Sequence, residues 1–214
     1  MEEILGKAQI IRRIHNAALS YKQYLMGKTY MFVFENNHVE VMFKKSTFKH
    51  LSGVDTNLNA IDFFKHAIKR NGLRPSEVFF SEDHPFDLAE KKTEHLSGLY
   101  KLTIENIKIA TDIQTATFTY GLGITNLEVV LCLGPDCDEN GNLKSQYMVP
   151  YSFRIEEMSD DKYKEIYDVT HIFVKSNSSS KYTELTFGDV NTIKNIQDKT
   201  KIKLDETLSR DKDN

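Results

Sequence analysis

Apolar positions in the first 70 residues follow two alternating rhythms. Ile10, Ile14, Ala17, Ala18, Tyr21 and Leu25 recur at three- and four-residue spacing, with Arg12, Arg13, Lys22 and Gln23 between them, which predicts an amphipathic helix ending at Gly27. The rhythm then tightens. Lys28 to Glu35 and Val39 to Phe43 are rich in aromatic and β-branched residues around Asn36-Asn37, which predicts a β-hairpin. Asn57 is read as the cap of a second helix with Ala60, Ile61, Phe64, Ala67 and Ile68 inward, stopping at Asn71-Gly72. A third helix is expected from Pro85 to about Ile104, carrying Leu88, Leu96, Leu99 and Leu102, with Gly98 as its weak point.

Beyond residue 105 the pattern becomes strand-like. Ile107–Ala110, Thr115–Tyr120, Leu127–Leu133, Tyr147–Ile155, His171–Lys175 and Tyr182–Phe187 are short apolar runs, separated by turn sequences such as Asn140-Gly141-Asn142. Regular short strands of this kind predict an antiparallel sheet. The expected fold is α+β: N-terminal helices packed on a small antiparallel sheet, one domain over residues 1–188. A charged tail, 189–214, is expected to be loosely ordered.

Composition narrows the class of protein. The 214 residues include 13 Phe and 10 Tyr and are 28% charged, values of a folded globular chain. No apolar run approaches the ~20 residues of a spanning helix and the start lacks the features of a secretory signal, so a cytoplasmic location and no membrane partner are expected. Cys132 and Cys137 are too few for a disulfide framework. The net charge of −3 conceals a polarity: residues 1–80 carry 12 basic and 7 acidic side chains, a surplus that could face phosphate.

Three apparent motifs dissolve on inspection. Asp136 to Gly141 matches the first half of a calcium loop, but its ninth and twelfth positions are Lys144 and Tyr147, and a hairpin turn is expected instead. His-Leu-Ser-Gly occurs at His50–Gly53 and again at His95–Gly98 without similar flanks, too little for a repeat. Gly121-Leu122-Gly123 lacks a βαβ setting. No metal or cofactor motif is visible.

The segment Phe43 to Gly53 holds three lysines, three hydroxyls and a histidine among the anchors Phe43, Phe48 and Leu51. His50 is a candidate proton carrier, since an unperturbed imidazole titrates near neutrality, although a structural loop has the same composition. Lys91 or Lys92, if turned inward from the third helix, could neutralise a pentavalent phosphorane; a solvated face is the ordinary alternative. In Pro150-Tyr151-Ser152-Phe153-Arg154, strand alternation places Ser152 and Arg154 on one face and Tyr151 and Phe153 on the other. If Tyr151 and Phe153 pack inward, Ser152 and Arg154 face outward and could grip a phosphate, although an ordinary half-buried strand has the same pattern.

Gly27-Lys28-Thr29-Tyr30, the box Phe48-Lys49-His50-Leu51-Ser52-Gly53, Phe63-Phe64, Ala89-Glu90-Lys91-Lys92 and Pro150–Arg154 together resemble the phage-associated barnase–EndoU–colicin–RelE group of nuclease domains (the BECR fold), most closely the fourth of its phage subfamilies. The likeness spans about Tyr21 to Lys175. It implies metal-independent RNA cleavage, in a protein of phage or mobile-element type, by attack of the ribose 2′-hydroxyl to leave a 2′,3′-cyclic phosphate. Carried over, His50 matches the family histidine, Lys92 or Lys91 the basic residue and Ser152 the strand hydroxyl, with Lys49, Arg154 and Tyr151 as substrate-binding candidates. RNA is the implied partner, and an inhibitor or antitoxin protein a possible second one. The alternative is a catalytically inactive scaffold that binds RNA or protein.

Overall fold

The structure, a computed structural model, describes residues 2–115, 118–200, 203–205 and 208, with backbone alone at 2–5 and 198–200. Helix α1, Glu2–Tyr24, buries Ile10, Ile14, Ala17, Ala18 and Tyr21 along one stripe, and the chain turns at Gly27, whose φ of +80° suits a residue without Cβ. Strands β1 (Lys28–Phe34) and β2 (Asn37–Met42) form the expected hairpin, its turn made by Glu35 and Asn36. A 3-10 turn at Lys45–Thr47 runs into the short helix α2, Phe48–Leu51. Helix α3, Ala60–Ala67, begins two residues later than the sequence suggested. Its cap is Asn59, whose side chain accepts from the Asp62 N–H.

Helix α4, Phe86–Leu96, is shorter than expected. The chain breaks at Ser97-Gly98 and resumes as a 3-10 turn, Leu99–Thr103. Glycine costs a helix about 1 kcal/mol relative to alanine, and the Leu99 and Leu102 burial that a continuous helix was to supply comes from the tighter turn instead. Strands β3 (Lys108–Gln114), β4 (Thr119–Thr125), β5 (Val129–Cys137), β6 (Leu143–Ile155), β7 (Glu165–Ser176) and β8 (Glu184–Phe187) follow. The expected strand at 115–120 falls partly outside the described residues, at 116 and 117; so do 201–202, 206–207 and 209–214 of the tail.

The expected small antiparallel sheet is overturned by the topology. Eight strands run β1-β2-β6-β5-β4-β3-β7-β8, and β1 also pairs with β7 from Lys28↔Ser176 to Phe34↔Val169, so seven strands close into a barrel. The β2–β6 pair, Val41↔Met148, is parallel, which makes the barrel mixed. Local alternation gives strands and neighbouring hairpins, but both closing contacts join segments more than a hundred residues apart. Nothing in local periodicity reports them. Closure leaves both faces of β1 covered, which explains its continuous apolar run.

One face of the barrel strands joins the helices in a single core that includes Phe32, Val41, Ile109, Ile124, Leu131, Phe153 and Ile172. On the other face, Met31, Val33 and Phe173 meet Tyr182, Ile193 and Leu204, the last two contributed by helix α5 (Ile193–Thr200) and the residues after it. Asp138 closes the β5–β6 turn by accepting from the Asn140 and Asn142 N–H groups, with Gly141 at φ +81°: a hairpin turn, as the sequence suggested. No helix among the described residues is long and apolar enough to cross a membrane.

Candidate functional site

Two buried anchors, Phe48 and Leu51, pin α2 to the core three residues apart and leave Lys49 half-buried and His50 exposed. The Phe48 ring meets Tyr21 edge-on at 5.2 Å and Phe64 at 5.3 Å, while the buried Tyr21 hydroxyl donates to the Lys44 carbonyl and lies 2.9 Å from Thr47 Oγ1. The turn is therefore held on both sides. Ser52 Oγ donates to the Lys49 carbonyl at 2.7 Å, and Gly53 follows with φ +70°.

Gly53 is demanded twice. Its backbone is left-handed, and an added Cβ would stand 2.6 Å from Lys92 Cδ and 3.5 Å from Ala89 Cα. The glycine thus lets α4 lie against the α2 turn with the Lys92 stem across it. Gly98, at the second His-Leu-Ser-Gly, has φ −88° and no such contact, so the two occurrences do different things.

Lys92 falls on the buried stripe Ala89–Lys92–Thr93–Leu96, whereas Lys91 is exposed. That stripe, with its three- and four-residue spacing, was the sequence signal that separates the two lysines. Burial, with the Arg154 guanidinium second, lowers the Lys92 pKa to about 8. No hydrogen bond or ion pair holds its ammonium among the described residues. Cys132, also close enough to act on it, stays a neutral thiol, because burial pushes its own pKa up to about 12.

Ser152 and Arg154 lie on β6 opposite Cys132 and Val130. The expected alternation fails here. Leu133 pairs with Pro150 and Cys132 with Ser152, which leaves Tyr151 as the extra residue of a β-bulge. In consequence Phe153 is buried, but Tyr151 is exposed, and its ring lies over Gly134 with the hydroxyl donating to the Pro135 carbonyl at 2.7 Å. Ser152 is buried. Arg154 Nε approaches Glu156 Oε1 at 3.5 Å, both atoms buried without a hydrogen-bond partner.

The sequence reading missed His84. Its Nδ1 lies 2.8 Å from Asp55 Oδ1, and Ser81 Oγ donates to Asp55 Oδ2 at 2.5 Å. A carboxylate only accepts, so Nδ1 carries the proton and Nε2 is left for other partners. Burial opposes ionisation of Asp55, yet the hydrogen bonds from Ser81 and His84 and the charges of His84 and Lys49 hold its pKa below the usual value. His84 also acts on His50, whose pKa is lowered by partial burial first, then by Lys49 and His84. Nothing in spacing marked His84: its orienting carboxylate is 29 residues away.

His50, Lys49 and His84 with Asp55 act on one another electrostatically; Lys92, Arg154 and Cys132 do the same, and Ser152 pairs with Cys132 across β5 and β6. Gly53 touches Lys92 and is three residues from His50, a stretch of chain that spans at most ~11 Å. Tyr151 and Lys91 are both exposed. Among the described residues no group of three or more His, Cys, Asp or Glu could hold a metal ion.

A family model, phage-Barnase-EndoU-ColicinE5/D-RelE like nuclease4 (PBECR4), matches residues 13–191. The chain belongs to this PBECR4 family. Every element from the body of α1 to the 3-10 turn at Val190–Thr192 lies within or at the edge of the match, the His50 turn, α4 and β6 included. Comparison with curated proteins and with solved structures gives no significant match.

Proposed function

We propose that this PBECR4 domain is an endoribonuclease that cleaves RNA with side chains alone, through attack of the ribose 2′-hydroxyl on the adjacent phosphorus. The observation that supports the reading is the α2–Gly53 turn, which carries His50 and packs against the stem of the buried Lys92, whose ammonium makes no hydrogen bond or ion pair among the described residues. Such a reaction needs three services: removal of the 2′-hydroxyl proton, stabilisation of charge on the non-bridging oxygens and protonation of the leaving 5′-oxygen.

In this reading His50, kept neutral by its surroundings, takes the 2′-hydroxyl proton. His84, steadied by Asp55, returns a proton to the 5′-oxygen. Lys92 and Arg154 face the phosphorane, where a poorly solvated ammonium gains most from meeting an anion, and Ser152 offers a hydroxyl to the same phosphate. The products are a 2′,3′-cyclic phosphate and a 5′-hydroxyl. DNA, lacking the nucleophile, is spared.

The test is cleavage of end-labelled RNA by the full-length protein in EDTA, with product ends identified. We expect cleavage to persist in chelator and to fall by about 10²–10⁴-fold in both His50→Ala and His84→Ala. Its acid limb should lie below the ordinary histidine value and vanish in His50→Ala. Activity lost in EDTA, or unchanged in His50→Ala, would overturn the mechanism; RNA bound but left intact would make the domain a binding module.

A further inference from the structure

A cleft of about 720 Å³ opens between α1 and the segment that follows α3, away from the His50 turn. Its floor includes Ile11 and Leu73, and its rim carries Arg12, Lys69, Arg70 and Arg74, all exposed. Among the described residues no acidic side chain lines it. Arg12, Lys69 and Arg70 make no ion pair among the described residues. Glu77, the carboxylate that feels Arg74, is engaged by the Arg74 N–H at 2.8 Å and by His66 at 3.3 Å. Four cations around an apolar floor, in a chain of net charge −3, are a local concentration that the global charge hides.

One short piece of chain leads from the cleft lining towards the candidate site. After Arg74 and Pro75 comes the 3-10 turn Pro75–Glu77, then Phe79, whose backbone exchanges both hydrogen bonds with Asp55, the residue that orients His84. Phe79 is 42% exposed, and Lys7 Nζ, one residue before Ala8 of the cleft lining, lies 5.9 Å from its ring centroid. A cationic cleft with an exposed aromatic ring on the chain that leaves it is a combination suited to single-stranded nucleic acid: charge follows the phosphates and the ring stacks a base.

We propose that the Arg12–Lys69–Arg70–Arg74 cleft and the Phe79 ring form a track for single-stranded RNA leading to the His50–His84 turn. The inference rests on the ribonuclease reading for its direction but not for its test. A fluorescent 2′-O-methyl RNA of about twelve nucleotides, within the range one such surface covers, binds without offering a nucleophile, so cleavage never enters the measurement. Binding to the full-length protein is titrated across salt concentrations.

The Arg70→Gln/Arg74→Gln double variant should lose at least tenfold in affinity and flatten the log–log salt slope by about 1.4, at ~0.7 per phosphate contact on a single strand. Phe79→Ala should lose about tenfold with the slope unchanged. Lys164→Gln, an exposed lysine elsewhere, should match the parent. Both track variants alter exposed side chains, and circular dichroism checks that they fold. Equal affinity and slope in parent and double variant would overturn the track. So would displacement by polyglutamate at matched charge together with an indifferent Phe79→Ala, which would make the cleft a general acidic-peptide site. Loss of binding in the track variants alongside a His50→Ala that still cleaves would keep the track and sink the reaction.

Discussion

Lys92 illustrates how a single buried side chain can cost stability. Its proton is held less tightly in the folded chain than in the unfolded one, with a pKa of about 8 against 10.5. The penalty is therefore fully present below pH 8 and fades as the pH rises towards 10.5, because the unfolded chain then binds the extra proton. Its size is at most about 3 kcal/mol. Lys92→Met should accordingly raise stability by about 1–3 kcal/mol at pH 7 in urea titrations, with the gain shrinking above pH 8, while RNA cleavage is lost. A variant that is both less stable and inactive would mark Lys92 as structural. The sequence offered His50, and Lys91 or Lys92, as candidates, and burial separates the two lysines. The setting of His50 was not legible, since Asp55 and His84 meet only through folding.

At the level of elements, the α2 turn is the joint on which the rest depends. Phe48 and Leu51 hold it, and Gly53 admits α4. Gly53→Ala places a Cβ in a left-handed conformation, costing about 1–2 kcal/mol, and drives it into the Lys92 stem. We expect a lower urea midpoint and weaker cleavage together, with Lys92 displaced. An unchanged midpoint would mean the turn relaxes freely. The hairpin of β1 and β2 and the stripe of α1 followed from periodicity, because each is set by neighbours in sequence. The β6 face did not: one inserted residue at Tyr151 shifts the alternation, and Pro150 is the only hint of it, proline being tolerated in strands at bulges.

For the molecule as a whole, the helices and strands were readable but their closure was not. Barrel formation depends on β1 meeting β7 and β2 meeting β6, contacts that pattern alone does not encode. The C-terminal residues complete the outer face of that closure. Ile193 and Leu204 cover Met31, Val33 and Phe173, next to Lys175, which reaches Glu40 at 3.3 Å and the Tyr147 hydroxyl at 3.2 Å. Ile193→Ala should therefore cost about 2–4 kcal/mol, the range for truncating a buried aliphatic side chain, read from thermal or urea unfolding. A cost near zero would show the outer face to be dispensable.

The β1–β7 seam also has a consequence for biosynthesis. Strand β1 emerges from the ribosome early, and its partner Val169–Ser176 about 140 residues later, roughly ten seconds at common elongation rates. Throughout that interval the aromatic ribbon has an open edge, and β6, with Ser152 and Arg154, has no finished wall to join. A nascent or prematurely ended chain thus holds the α2 turn without the closed barrel, and under the proposed ribonuclease reading RNA cleavage waits for the synthesis of β7.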